Sequence, residues 1–349
     1  MPRRKSDSGV TIWDVARESN VSIATVSHVI NNGPRIVRPD TRERVLTAIQ
    51  KLNYHPNAMA RGLVRRRMNT IGILSAVFNA HDVMANPYAS GILQGVFDGA
   101  EADGYDVLMF TQGWQNLRNS GPVYRDRRVD GIVTIAPSHD SDMISGLVSL
   151  DLAVTAVAAE SIEHGVPSVD VDNRKGARLA VEHLISLGHT RIAHITGNLL
   201  FQSTDHRCEG YVNTMTEHGI PVTDGYIAQA AFDGSGGYEK TIELLSRPDP
   251  PTAIFAANDW IALGVLAAAR EMAISVPERL SVVGFDDMSL TAHITPALTT
   301  IRQPLAAIGE LAAKLLIERI NTGHVEPKMH LLEPDLIVRA STGPPPDEK

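Results

Sequence analysis

One short segment of the chain presents polar groups in a pattern suited to hydrogen bonding with a partner molecule. Val26, Val29 and Ile30 recur at helical intervals of three and four residues, so these apolar side chains face inward on a predicted helix. The opposite stripe of that helix carries Ile23, Ala24, Ser27, His28 and Asn31. Hydroxyl, imidazole, amide and methyl groups are the groups that contact base edges in the major groove, and Ile23 suits a thymine methyl group. The stripe therefore predicts a DNA-reading helix.

Two further helices are predicted around this one. Thr11 and Asp14 have the spacing of a capping pair, in which the hydroxyl and the carboxylate satisfy open backbone donors at a helix start. Ser22 can begin the second helix in the same way. Pro39 stands at a favoured first position of a third helix. The predicted inner stripe of this third helix consists of Val45, Leu46, Ile49 and Leu52.

Formal charge divides the chain into a basic head and an acidic body. Up to Asn69 there are 13 basic and 5 acidic side chains, which gives +8, whereas the remainder carries −16. This division is typical of a protein that attracts phosphates at one end and repels them elsewhere. A merely solvated charged face is the alternative for this feature.

Length and composition restrict the class of protein. The 349 residues, 43% of them apolar, suffice for two or three domains with sizeable cores. The single cysteine, Cys208, excludes an internal disulfide framework. Because the sequence shows neither a secretory signal nor an apolar run of about 20 residues, we expect a cytoplasmic protein that does not enter a membrane.

From Thr70 onward, short apolar runs alternate with amphipathic stretches, which predicts an α/β body of parallel sheets with helical crossovers. The predicted strands are residues 71–77, 106–110, 131–135, 153–157, 192–195, 253–256 and 281–285. The predicted helices include residues 89–102, 174–187, 207–218 and 261–272. A body of roughly 270 residues exceeds one comfortable core and suggests two lobes with a cleft.

Several residue groups suggest other chemistry on their types alone. Residues 138–140 (Ser-His-Asp) have the composition of a hydrolase triad, but sequence neighbours do not form triad geometry. Residues 234–237 lack the lysine of a phosphate-binding loop and are interpreted as a helix start. His183, His189 and His194 lack the clustering of a zinc site. We therefore expect neither an enzyme nor a bound metal or other cofactor.

The motifs along the chain resemble the lactose-repressor (LacI/GalR) family of bacterial transcription regulators. In the head these are residues 10–16 (VTIWDVA), 21–27 (VSIATVS), 41–45 (TRERV) and 52–58 (LNYHPNA). In the body they are residues 171–173 (VDN), 183–189 (HLISLGH), 257–264 (ANDWIALG) and 283–287 (VGFDD). Their order and spacing extend the resemblance over nearly the whole chain.

The resemblance implies a division into domains. Residues 1–57 would form an all-α helix-turn-helix DNA-binding domain, and residues 58–69 a hinge helix and linker. Residues 70–340 would form a two-lobed body of doubly wound parallel sheets for effector binding and dimerisation, similar to the periplasmic sugar-binding proteins. A helix over residues 305–320 would return to the first lobe and residues 329–338 to the second. Residues 341–349, which are rich in proline, are predicted to be disordered.

The resemblance also implies which residues contact DNA. They are Thr11, Ser22, Ile23, Ala24, Thr25, Ser27, His28, Asn31, Tyr54, Asn57, Ala60, Arg61 and Leu63. His28 stands where the family usually carries arginine, and it loses the bidentate fork that arginine offers to guanine. Leu63 matches the leucine that wedges between the central base pairs from the minor groove. For Thr25 and Ser27, bonding to local backbone groups is the alternative role.

The implied effector-binding residues are Tyr88, Arg207, Phe232, Asn258, Asp286 and Gln303. A surface ion pair is the alternative role for Arg207, and a turn or helix cap is the alternative for Asn258 and Asp286. Sugar-binding members often have an acid after the strand that ends here in Ala158 and Ala159. This departure argues against a typical sugar effector.

Taken with the residues, the resemblance implies a repressor whose affinity for a palindromic operator is controlled by a small molecule in the cleft. Two hinges must meet at the operator centre, which implies a homodimer and leaves a tetramer open. The alternative from another class is an architectural DNA-binding protein that needs no ligand.

Overall fold

The chain divides between Asn69 and Thr70 into two units that pack separately. The structure is a computed structural model, and it describes residues 10–31, 36–55, 67–75 and 86–347. Within the described residues, no helix is both long and apolar enough to cross a membrane. Each unit is described by itself below.

The first unit contains three helices, α1 (Ile12–Glu18), α2 (Ile23–Asn31) and α3 (Pro39–Leu52). A small apolar core joins them, built on Val15, Val26, Val29, Val45 and Ala48. The prediction for α3 is wrong at one position, because Leu46 is 44% exposed whereas Ala48 is buried. Position 48 follows position 45 by three residues, so the two side chains share one helix face.

The first lobe of the second unit is built on one parallel sheet. Its strands are β1 (Thr70–Ser75), β2 (Asp106–Met109), β3 (Gly131–Ile135), β4 (Ala153–Val157), β5 (Ser168–Val171) and β11 (Met329–Leu332). Within the described residues their order is β11-β5-β4-β3-β1-β2. The lobe's helices are α4 (Pro87–Ala102), α5 (Leu117–Tyr124), α6 (Met143–Ser149) and α11 (Leu305–Thr322).

The second lobe repeats this plan. Its strands are β6 (Ile192–Thr196), β7 (Ile227–Gln229), β8 (Ala253–Ala256), β9 (Ser281–Asp286), β10 (Thr299–Arg302) and β12 (Asp335–Ile337), in the order β12-β10-β9-β8-β6-β7. Only the edge pair of β10 with β12 is antiparallel among these described strands. The helices are α7 (Asn173–Ser186), α8 (Gln202–Glu217), α9 (Gly234–Leu245) and α10 (Asp259–Glu271).

The chain passes between the lobes after β5, after β10 and after β11. The predicted return of α11 to the first lobe is confirmed by its close packing on α4. A Cβ atom on Gly95 of α4 would lie 1.8 Å from the carbonyl oxygen of Ala306, so only glycine permits this approach. The assignment of residues 329–338 to the second lobe is wrong in its first half, because β11 pairs with β5 of the first sheet.

The carboxyl-terminal segment is more ordered than its composition suggests. Ser341 is fully buried. Its carbonyl oxygen accepts from the backbone N–H of Val282, and its hydroxyl donates to the carbonyl oxygen of Val282 at 2.6 Å. The backbone N–H of Gly343 donates to Ser281. The prediction that residues 341–349 are disordered is therefore wrong for residues 341–343, because these residues form hydrogen bonds with the backbone and side chains of β9.

Candidate functional site

The start of α1 has the capping arrangement that its sequence predicts. The Asp14 carboxylate accepts from the Thr11 backbone N–H at 3.0 Å and from the Thr11 hydroxyl at 2.7 Å. The hydroxyl of Ser22 accepts from the Thr25 backbone N–H at 3.1 Å and so caps α2. Both helices of the helix-turn-helix are therefore stabilised by side chains at their first turn.

The outer stripe of α2 is only partly free for contact with DNA. Ala24 is exposed, and Ser27 and His28 are half-buried. Ile23 is half-buried because part of its side chain packs on the head core. The Thr25 hydroxyl lies 2.9 Å from that of Ser22, so it has a local side-chain partner at the start of α2.

The other predicted DNA contacts divide by position. Tyr54 packs half-buried against the head core. The side chain of Asn31 and residues Asn57, Ala60, Arg61 and Leu63 lie outside the described residues. Their predicted contacts with DNA therefore remain predictions.

A cavity of about 260 Å³ lies between the two lobes at the carboxyl ends of their parallel strands. This is where open parallel sheets usually bind ligands. Five of the six predicted effector-binding residues line it, namely Tyr88, Arg207, Phe232, Asn258 and Asp286. The structure adds Asn86, Ala136, Ala158, Phe201, Ser203, Asp233 and Trp260.

Arg207, on α8, is the buried cation of this cavity. Its Nε atom donates to Oδ1 of Asn173 at 2.8 Å, and Nη1 donates to the carbonyl oxygen of Ala257. The guanidinium also lies over the Phe285 ring, 3.7 Å from the centroid. These contacts come from the first crossover and from the ends of β8 and β9, so protein groups hold the fork in place. A surface ion pair, the alternative role, does not describe this residue, which is 4% exposed.

Carboxyl groups surround the arginine. Burial raises the pKa of Asp170 to about 7, although the charge of Arg207 opposes the shift. Burial also raises the pKa of Asp286 above its usual range, and again Arg207 and a hydrogen bond from Gln303 oppose it. Burial and the neighbouring Asp286 together raise the pKa of Asp259. The positive charge of Arg207 is therefore already balanced inside the protein.

Gln303 is the one predicted effector-binding residue that does not line the cavity. Its Nε2 atom donates to Oδ1 of Asp286 at 2.6 Å, and its side chain is buried beside the second crossover. Gln303 therefore holds a cavity residue in place instead of lining the cavity itself. No sequence signal pointed to this role, because β10, the strand that precedes Gln303, was not among the predicted strands.

Asn258 is a helix cap that also lines the cavity. Its side chain accepts from the Ile261 backbone N–H at 2.8 Å and caps α10, and it also lines the cavity. The neighbouring Asp259 is fully buried and accepts from the Met288 backbone N–H at 2.8 Å and from the Thr300 hydroxyl at 2.5 Å. Asp259 thereby supports the turn after Asp286, where φ reaches 127° at Asp286.

Aromatic rings form much of the cavity wall. The rings of Phe201 and Phe232 have centroids 6.0 Å apart at an interplanar angle of 46°. Phe232 rests directly on Gly197, where an added Cβ atom would lie 2.0 Å from its Cζ atom. Tyr88 contributes from the first lobe and Trp260 from α10. The wall is suited to a ligand with a flat or apolar face.

Residues 138–140 do not form a triad. The Ser138 hydroxyl donates to Asp140 at 2.7 Å, and the His139 ring faces Asp205 of the second lobe at 3.1 Å. His206 lies 3.5 Å from Glu160 in a similar contact between lobes. These histidines join the lobes beside the cavity. Among the residues that the structure describes, no three His, Cys, Asp or Glu side chains are grouped to hold a metal.

Two family models match the chain. The model described as bacterial regulatory proteins, lacI family, matches residues 11–57. A model described as a periplasmic binding protein-like domain matches residues 181–342. The first match covers the three helices of the head, and the second covers most of the second lobe.

Curated relatives match over nearly the full length. Catabolite control protein A from Priestia megaterium is 34% identical, over 95% of this chain and 99% of that protein. The ribose operon repressor of Escherichia coli is 36% identical, over 95% of this chain and 99% of that protein. The transcriptional repressor PurR of Haemophilus influenzae is 33% identical, over 95% of this chain and 98% of that protein.

Solved structures share the architecture. The lac repressor dimer bound to operator and the anti-inducer ONPF matches with a TM-score of 0.82 at 28% identity, covering 96% of this chain and all of that one. The transcriptional regulator CelR in complex with cellobiose matches with a TM-score of 0.73 at 31% identity, covering 95% and 99%. By these full-length matches, the chain belongs to the lacI family of bacterial regulatory proteins.

Proposed function

We propose that this protein is a transcription repressor whose affinity for a palindromic operator is controlled by a small molecule bound between its lobes. The observation that carries the proposal is the interlobe cavity with the buried Arg207 and Asp286 in its wall. Buried charged groups at the carboxyl ends of parallel strands are suited to holding a polar ligand. An architectural DNA-binding protein that needs no ligand does not require such groups.

The head supplies the output of this proposed sensor. The capped helix α2 exposes Ala24 and part of His28 for the major groove. One such helix reads a half-site, so a palindromic operator requires two copies of the chain. The related lac repressor was solved as a dimer on its operator, which supports a homodimer here.

The proposed control follows from differential affinity. An effector changes operator binding only when it prefers one arrangement of the lobes over another. Because the chain crosses between the lobes three times, the crossovers are where such a change is accommodated. Gln303 joins one crossover to Asp286 of the cavity wall, which supports a coupling at this point.

Thermal melting of the purified full-length protein tests the cavity first. We expect a member of pools of sugars, nucleosides or organic acids to raise the melting midpoint, because a ligand selective for the native state must do so. Selection of operators from random DNA, with and without the hit, then gives the half-site and the sign of the response. A palindrome whose affinity the hit does not change would contradict control by that ligand.

A further inference from the structure

The carboxylate of Asp233 stands at the rim of the interlobe cavity. It caps α9, where Oδ1 accepts from the Gly236 backbone N–H and the Ser235 hydroxyl, both at 2.8 Å. These hydrogen bonds hold the pKa of the Asp233 carboxyl below its usual range, so the group is ionised at neutral pH. The cavity therefore has a fixed negative charge at this edge.

Aromatic rings share this part of the cavity with Asp233. Phe201 and Phe232 lie with their ring centroids 6.0 Å apart, and Trp260 lines the same space. The faces of such rings attract a cation through their quadrupole, most strongly in tryptophan. An anion next to aromatic faces is therefore a setting for a positively charged group.

The charges of the cavity wall do not cancel. Arg207 is the one Lys or Arg among the described residues that line it. Its charge already faces Asp170 and Asp286, which are buried beside it. In the part of the chain that the structure describes, no cation lies within ion-pair distance of Asp233. The cavity wall thus keeps an uncompensated negative charge.

We infer that the effector of this protein is a cation, with a protonated or quaternary amine lying among the aromatic rings and Asp233 as its counter-ion. The inference rests on the proposed function of the cavity and specifies its ligand class. An anionic ligand would meet Asp233 directly, and Arg207 has no uncompensated charge to offer it. A neutral ligand would leave the charge of Asp233 unused.

Matched pairs of probes test this on the full-length protein by isothermal titration calorimetry. Choline and 3,3-dimethylbutan-1-ol have the same shape and differ in charge, and glucosamine and glucose form a second pair. We expect the amine of at least one pair to bind at least about tenfold more tightly than its neutral partner. Raising the salt concentration should reduce this preference, because Asp233 is exposed at the rim.

Two variants assign the preference to Asp233. Asp233→Asn retains an oxygen to cap α9 but removes the charge, and it should bring the amine within about threefold of its neutral partner. Asp172→Asn is the matched control, because Asp172 caps α7 through the Lys175 backbone N–H and does not line the cavity. This control should keep the preference of the unmodified protein.

The possible failures are distinguishable. Equal or tighter binding of the neutral probes, or of glucuronate, overturns the cationic ligand and leaves the effector cavity in place. An amine preference that survives Asp233→Asn also overturns it. If neither these probes nor the metabolite pools shift the melting midpoint, the proposed effector function itself is contradicted.

Discussion

The guanidinium of Arg207 lies on the ring of Phe285, and the next residue along the chain is Asp286, a cavity carboxyl. The end of β9 therefore supplies both a platform for the cation and one of its counter-charges. Asn173 bonds Nε of the same guanidinium from the first crossover. The Arg207 side chain thus connects the cavity to the end of β9 and to the first crossover between the lobes.

Replacement of Arg207 by lysine tests the importance of the planar fork. Lysine keeps a positive charge beside Asp170 and Asp286. It has no planar group to stack on the Phe285 ring or to donate two hydrogen bonds within one plane. We expect the variant to fold and to bind a ligand identified by melting at least about tenfold more weakly in calorimetry. Arg178→Lys is the control, because Arg178 pairs with Glu182 and Glu217 on the surface. Equal affinity for Arg207→Lys would mean that charge alone suffices.

Gly197→Ala tests the position of the aromatic wall. The new methyl group would lie 2.0 Å from Cζ of Phe232, so the ring must leave its place against the backbone. Because Phe232 is only half-buried, we expect the fold to survive and affinity for a cavity ligand to fall at least about fivefold, a typical loss for a displaced aromatic contact.

Gly113→Ala is the matched control for this change, because a Cβ atom there would meet nothing within 4 Å. Calorimetry should find its ligand affinity unchanged, and circular dichroism should find both variants folded. If Gly197→Ala binds as tightly as the unmodified protein, Phe232 does not contact the ligand.

The parts of the fold that could be predicted are those with a local apolar signal. Strands β3, β4 and β8 have the predicted bounds because each is an entirely or mostly buried apolar run between turns. Strand β7 was not predicted, since two of its three residues are exposed at a sheet edge. Strand β10 (Thr-Thr-Ile-Arg) has too few apolar residues to stand out, although three of its four residues are buried.

The candidate site likewise contains some residues that could be predicted from the sequence and others that could not. Asn258 and Asp286 could be predicted from the resemblance to the family, and their positions at or just after apolar strands agree with it. Phe201 and Trp260 were missed although each stands at or next to a helix start after such a strand, which is the signal that could have found them. The bond between Gln303 and Asp286 joins residues 17 positions apart, and no local pattern encodes it.

The buried carboxyl of Asp170 predicts a pH dependence of stability. Burial raises its pKa to about 7 in the folded protein, whereas an unfolded aspartate titrates near its ordinary value. Between those values the folded state binds more protons, so the free energy of unfolding falls as pH rises. From pH 5 to 7.5 this single group should contribute a decrease of roughly 2 kcal/mol in urea unfolding.

Asp170→Asn removes the titrating proton and should make the decline of stability over this range shallower by that amount. The variant also loses a carboxylate partner of Asn173, so its stability should be lower at every pH, and only the slope tests the titration. Asp151→Asn, at an exposed position just before β4 and without an influence on the pKa of Asp170, should retain the original slope. Identical slopes for all three proteins would place the titration elsewhere.

Leu63→Ala tests the predicted hinge, and Leu63 itself lies outside the described residues. If Leu63 wedges between the central base pairs, its removal takes away the contact that offsets the unstacking of the bases. We expect operator affinity to fall at least about tenfold in a gel-shift or anisotropy titration, with ligand binding and thermal melting unchanged. Leu46→Ala, at a 44% exposed leucine of α3, removes the same atoms from the head and should keep full affinity. An equal loss in both variants would indicate a general weakening of the head, and no loss for Leu63→Ala would refute the wedge.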